Sequence, residues 1–140
     1  MSEAKAESGT ALLYLLGQLL EGERAGARGV GIMSRQAQNA RARAELTDIA
    51  RDEARVCAML TRHIKRLGGV PSTATGAFYG KLMAIEDPVQ RLDFLDRGQG
   101  WVVRKLREAL PGIADEALRA DLADMLETHE RNLARSAKLR

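Results

Sequence analysis

Leu12, Leu16, Leu19, Ala27 and Val30 recur at steps of three and four residues, the spacing that lines up side chains on one face of a helix. They predict a first helix over about 10–38, with Ser8 or Thr10 as its cap. A second stripe, through Leu46, Ile49, Val56, Leu60, Ile64 and Leu67, stops at Gly68-Gly69 and predicts a helix over about 40–67. Residues 69–76 carry the strongest loop signal in the chain, and a short helical piece over 78–85 follows. Asp87 and Pro88 supply a cap and a first-turn proline for a third helix over about 88–110, with Leu92, Leu95, Val102, Leu106 and Leu110 as its stripe. Pro111-Gly112 ends it, and Leu118, Leu122, Met125, Leu126 and Leu133 predict a fourth over about 115–137.

The connections decide how these helices pair. The first two are joined tightly near Asn39 and the last two tightly at Pro111-Gly112, whereas about twenty residues, 68–87, separate the pairs. Two antiparallel hairpins joined by a long crossover predict an all-α four-helix bundle of ferritin-like arrangement. At 140 residues, 1–140 makes one domain with a single core. Only 4% of residues are aromatic and Ala, Leu, Arg and Glu dominate, the alphabet of helices rather than strands.

The 22 basic and 19 acidic residues are interspersed, and the net charge of +3 leaves no electrostatic footprint for nucleic acid. Arg131, Arg135, Lys138 and Arg140 at the end of the last helix read as a solvated face suited to the helix dipole. Cys57 is the only cysteine, which excludes an internal disulfide and fits a reducing cytoplasm. The first residues lack the basic start and apolar run of a signal peptide. The apolar run over 11–20 is too short to span a membrane.

Chemistry enters through the gaps in the stripes. Glu23 interrupts the apolar face between Leu19 and Ala27, and Glu53 the face between Ile49 and Val56. Gln99 stands between Leu95 and Val102, and His129 between Met125 and Leu133. Glu23 lies 16 residues before Asn39 and Glu53 lies 14 after it (39 − 23 and 53 − 39), so antiparallel helices put them at one height. Gln99 and His129 lie 13 and 17 residues from Gly112 (112 − 99 and 129 − 112), about one turn apart. Two buried carboxylates require compensation: a cation, a shared proton, or an arginine such as Arg24, Arg28 or Arg55.

With one inward polar residue per helix, the chain resembles the ferritin-like di-iron carboxylate superfamily, which includes the rubrerythrins. That pattern is Glu on the first helix, Glu-x-x-His on the second, Glu on the third and Glu-x-x-His on the fourth. Glu23, Glu53 and His129 match it, whereas Val56, Gln99 and Leu126 stand where the remaining ligands would be. The resemblance implies a reduced site for one iron, manganese or zinc ion held by Glu23, Glu53 and His129, with Gln99, Glu130 or water completing it, and redox chemistry toward oxygen or peroxide. The alternative is a non-catalytic interaction or scaffold bundle that has lost the site and works as a homodimer.

Other residues carry paired readings. Gly22, Gly26 and Gly29 share one face of the first helix and suit either a homodimer seam or close packing inside the chain. Arg97-Gly-Gln-Gly-Trp101 suits a pocket wall or a helix distorted around its tryptophan. Phe78 and Tyr79 suit a lid or a plug over one end of the bundle. His63 is ten residues beyond Glu53 and reads as a dipole partner near a helix end, and Cys57 as a small buried apolar residue.

Overall fold

A computed structural model describes residues 2–140, with side chains from residue 9 onward. Its helices are α1 (Ser2–Gln36), α2 (Ala40–Arg66), α3 (Phe78–Ala84), α4 (Pro88–Ala109) and α5 (Glu116–Ala137), with a single 3-10 turn, Leu110–Gly112, between the last two. The local signals act as the sequence indicates. Asn39 Oδ1 accepts from the amides of Arg41 and Ala42, Asp87 from Gln90, and Asp115 from Leu118. At the end of α2, Gly68 takes a left-handed φ of 86°, and the Gly69 amide donates back to the Ile64 carbonyl at 2.8 Å. The first boundary differs: α1 begins at Ser2, so Ser8 and Thr10 lie within the helix and do not cap it. Ala, Glu and Lys form helix readily, so the apolar stripe underestimates its length.

Contacts fix the order of the helices. α1 and α2 form one antiparallel hairpin, and α4 and α5 the other. Arg66 pairs with Asp115, Arg55 with Asp124 and Arg135 with Glu45, so α2 and α5 also run antiparallel. The connection leaves α2 beside Leu13 and delivers α4 beside Gln36, whose Oε1 accepts from Arg91. It therefore travels the length of the bundle, and the helices run up, down, down, up. α3 lies on this crossover, with Leu82 fully buried against α1.

The core divides into two apolar clusters. One contains Leu16, Leu19, Val56, Leu60, Val102 and Met125, and the other Val30, Met33, Ile49, Leu82, Leu92 and Leu95. The division falls between Leu20 and Val30 on α1, between Ile49 and Val56 on α2, and between Leu95 and Val102 on α4. Glu23, Glu53 and Gln99 occupy those gaps, with His129 beside Met125 on α5.

Two expectations change at the ends of the bundle. His63 is more than a dipole partner: its Nε2 lies 2.6 Å from Asp121 Oδ2 and its Nδ1 accepts from Arg66, which also grips Asp115. The basic end of α5 is likewise engaged, since Arg135 holds Glu45 and Asp48, and Arg140 holds Asp93 and Asp96.

Candidate functional site

Glu23, Glu53, Gln99 and His129 are 3%, 3%, 5% and 1% exposed, so the four stripe gaps meet in one buried layer. Glu130, the remaining candidate, is not part of it. One residue on from His129 turns the side chain about 100° around the helix, and Glu130 pairs on the surface with Arg107 at 3.0 Å.

Hydrogen bonds identify the protons in the layer. His129 Nδ1 lies 2.8 Å from the Met125 carbonyl, which only accepts, so Nδ1 carries hydrogen. Nε2 lies 2.6 Å from Glu23 Oε1 and therefore either donates as imidazolium or accepts from a protonated carboxyl. Burial by itself disfavours the imidazolium, but the charge and hydrogen bond of Glu23 reverse that and hold His129 at about 9. The upward shift favours the form in which the His129 imidazolium donates to Glu23.

Glu53 takes the opposite course. Burial first, and then the nearby Glu23 charge, push it well above the usual carboxylate range. Both causes favour its neutral form, and its Oε1 accepts from Gln99 Nε2 at 2.7 Å. Burial, with the same two carboxylates, pushes the half-buried Cys57 thiol up to about 12, so Cys57 is an inert neighbour and not a nucleophile.

Glu23 Oε2, Glu53 Oε2 and Gln99 Oε1 are buried without a hydrogen-bond partner. All three are acceptors. A proton on Glu53 Oε2 turns one of them into a donor, and the Glu23 carboxylate is the charged acceptor close by. Among the described residues, no group of three or more His, Cys, Asp and Glu side chains is disposed to hold a metal ion. The Glu23–His129 separation agrees: the two donors are hydrogen-bonded to each other, which occupies the ring nitrogen an ion would take.

The layer borders a cavity of about 550 Å³ between α1 and α4. Glu23, Glu53 and Gln99 lie at its floor, and Phe94, Leu95, Trp101 and Val102 in its apolar wall. Phe78, at the start of α3, stacks on Phe94 with ring centroids 5.0 Å apart and closes one side. A Cβ at Gly98 would lie 2.7 Å from that ring, so the absent side chain is what admits Phe78. Arg97-Gly-Gln-Gly-Trp101 is thus a pocket wall, and Phe78 borders the same pocket.

The glycines of α1 separate by function. A Cβ at Gly26 would collide with Glu53 Oε2, and one at Gly29 with Leu82, so close packing within the chain accounts for both. Gly22 lines the cavity, and a Cβ there would meet nothing within 4 Å. Three contributions escaped the sequence reading. Phe94 and Arg104 line the cavity without interrupting any pattern, and Asn132 is 1% exposed with neither amide atom paired. Asn132 follows His129 by three residues on the same face, and that spacing was the available signal.

Comparison with known proteins adds a family and no activity. A family model described as a domain of unknown function, DUF6306, matches residues 10–138. No curated protein and no solved structure matches the chain. Among the described residues, no helix is long and apolar enough to cross a membrane.

Proposed function

We propose that this chain, which belongs to the DUF6306 family, is a small-molecule-binding helical bundle whose ligand lies in the α1–α4 cavity against the buried Glu23–Glu53–Gln99–His129 layer. The cavity carries the reading. Its volume of about 550 Å³ is in the range of small-molecule sites, and its largely apolar surface is bounded by polar side chains at the floor and at the rim. The floor is formed by Glu23, Glu53 and Gln99, with the His129 ring held by Glu23 beneath it. This keeps the ferritin-like arrangement of the resemblance and gives the layer a part in ligand binding.

Gly22→Leu separates binding from folding. Leucine forms helix better than glycine by about 0.5–1 kcal/mol, and space is open around position 22, so the variant is expected to unfold at equal or higher urea concentration. The leucine side chain takes up part of the cavity where an apolar ligand would lie. Trp101, the only tryptophan, lines the same wall and reports on occupancy. Its emission is expected to shift when 1-octanol is added to the native chain and to stay unchanged in Gly22→Leu. Equal responses in both proteins would place the alcohol elsewhere and defeat the reading.

A second reading rests on the three buried oxygens of Glu23, Glu53 and Gln99 that lack a hydrogen-bond partner. In it, Glu23, Glu53 and His129, with Gln99 beside them, hold one iron, manganese or zinc ion, and His129 exchanges its hydrogen bond to Glu23 for the metal. Elemental mass spectrometry of untagged protein, as purified and after reconstitution, tests it. Near-stoichiometric metal that is lost in both Glu53→Ala and His129→Ala supports this reading, and no uptake ends it.

A further inference from the structure

The rim of the cavity differs in charge from its floor. Arg97 and Arg104 both line it, both are exposed, and they are seven residues apart on α4, which places them on one face about two turns from each other. Most arginines at the helix seams are occupied: Arg55, Arg66, Arg107, Arg135 and Arg140 each hold a carboxylate. Among the described residues, Arg97 and Arg104 have no hydrogen-bond or ion-pair partner. Arg97 instead lies over the Phe94 ring, its guanidinium carbon 5.6 Å from the centroid, and Lys105 sits over Trp101 at 5.8 Å. The aromatic walls therefore carry cations along their outer edge. The rim carboxylate, Glu21, is engaged by the Ser72 hydroxyl at 2.9 Å.

From this arrangement we infer that the ligand is an amphipathic anion, a carboxylate on an apolar body, with its head between Arg97 and Arg104 and its body inside along Gly22, Phe94 and Trp101. The inference rests on the cavity being a ligand site and adds the chemical class. A guanidinium fork matches a carboxylate with paired N–H donors, and the partial cover of the aromatic edge strengthens that bond over an open-surface pair. An apolar body needs the walls described, and a neutral ligand has no use for two unpaired cations at the entrance. A cationic head would meet Arg97, Arg104 and Lys105 with like charge.

Three eight-carbon probes of different head group test this by Trp101 emission: octanoate, 1-octanol and octylamine. Octanoate is expected to bind about tenfold more tightly than 1-octanol, as charge-assisted hydrogen bonds predict. Octylamine is expected to be weakest. In the double variant Arg97→Gln/Arg104→Gln the advantage of octanoate over the alcohol is lost. Added salt narrows the octanoate advantage and leaves the alcohol unaffected. Octanoate binding no tighter than 1-octanol, or an advantage that survives the double variant, would overturn the anionic class while leaving the cavity reading intact. Silence from all three probes would defeat both.

Discussion

Glu23→Leu is expected to cost about 3–5 kcal/mol of unfolding free energy, although it adds apolar volume to an apolar surrounding. The cause is the partner left behind. His129 is 1% exposed, its Nδ1 is committed to the Met125 carbonyl, and Glu23 is the group that answers Nε2. With the carboxylate gone, the imidazole must either stay charged and unpaired in the core or lose its proton and leave Nε2 unsatisfied. His129→Leu should be comparably costly, since Glu23 already has one orphaned oxygen and would then have two. The double variant Glu23→Leu/His129→Leu is expected to regain most of the loss, because it removes both buried charges together and fuses the two apolar clusters. Urea unfolding of the four proteins closes a double-mutant cycle, and a coupling of several kcal/mol is the expected result. If either single variant lost no more than an ordinary surface substitution, about 0.5 kcal/mol, the buried pair would not exist as described. A double variant near native stability that no longer binds octanoate or 1-octanol would show that the layer is kept for the ligand, at a cost to the fold.

The helical period made much of this legible. A polar residue on an apolar stripe is assigned to the core by its spacing alone, which is why Glu23, Glu53, Gln99 and His129 were identifiable before any coordinates. Counting residues from the turns set their heights, because the rise of a helix is fixed. Partnership was not legible. Glu23 and His129 sit on α1 and α5, which are not joined in sequence, and their 2.6 Å contact depends on how the two hairpins rotate against each other. The same limit applies to the glycines: spacing put Gly26 and Gly29 on one face, but only the fold shows that Glu53 and Leu82 fill the space beside them. Glu130 follows His129 directly in sequence, and the turn of the helix carries it to the surface beside Arg107. The cavity was the least legible feature. It is a gap between α1 and α4, and a gap leaves no periodic trace beyond the small residues that keep it open.

Protonation ties the stability of the layer to pH. His129 has a folded value of about 9 against an ordinary value of 6.5, so the native state binds its proton more tightly than the unfolded chain does. The resulting stability is fully present below pH 6.5 and is lost as the pH rises through about 9. A displacement of that size corresponds to on the order of 3 kcal/mol. Glu53 is also raised, so it too favours the fold at low pH, and its contribution declines from just above its ordinary value of 4.5 upward. Cys57, raised from 9.0 to about 12, adds a further decline above pH 9. Asp115 is shifted the other way by its bond to Arg66, but its effect is confined to strong acid, below its ordinary 3.8. All three groups at the layer therefore act in one direction, and the protein is expected to be more stable at pH 6 than at pH 9, with the steepest fall between 7 and 9. Urea midpoints across that range give the slope directly. The Glu23→Leu/His129→Leu double variant should flatten it, because the group that titrates there has been removed. A native protein whose stability held level or rose from pH 7 to 9 would mean that the Glu23–His129 pair holds no extra proton in the fold, and the imidazolium–carboxylate pair would be refuted.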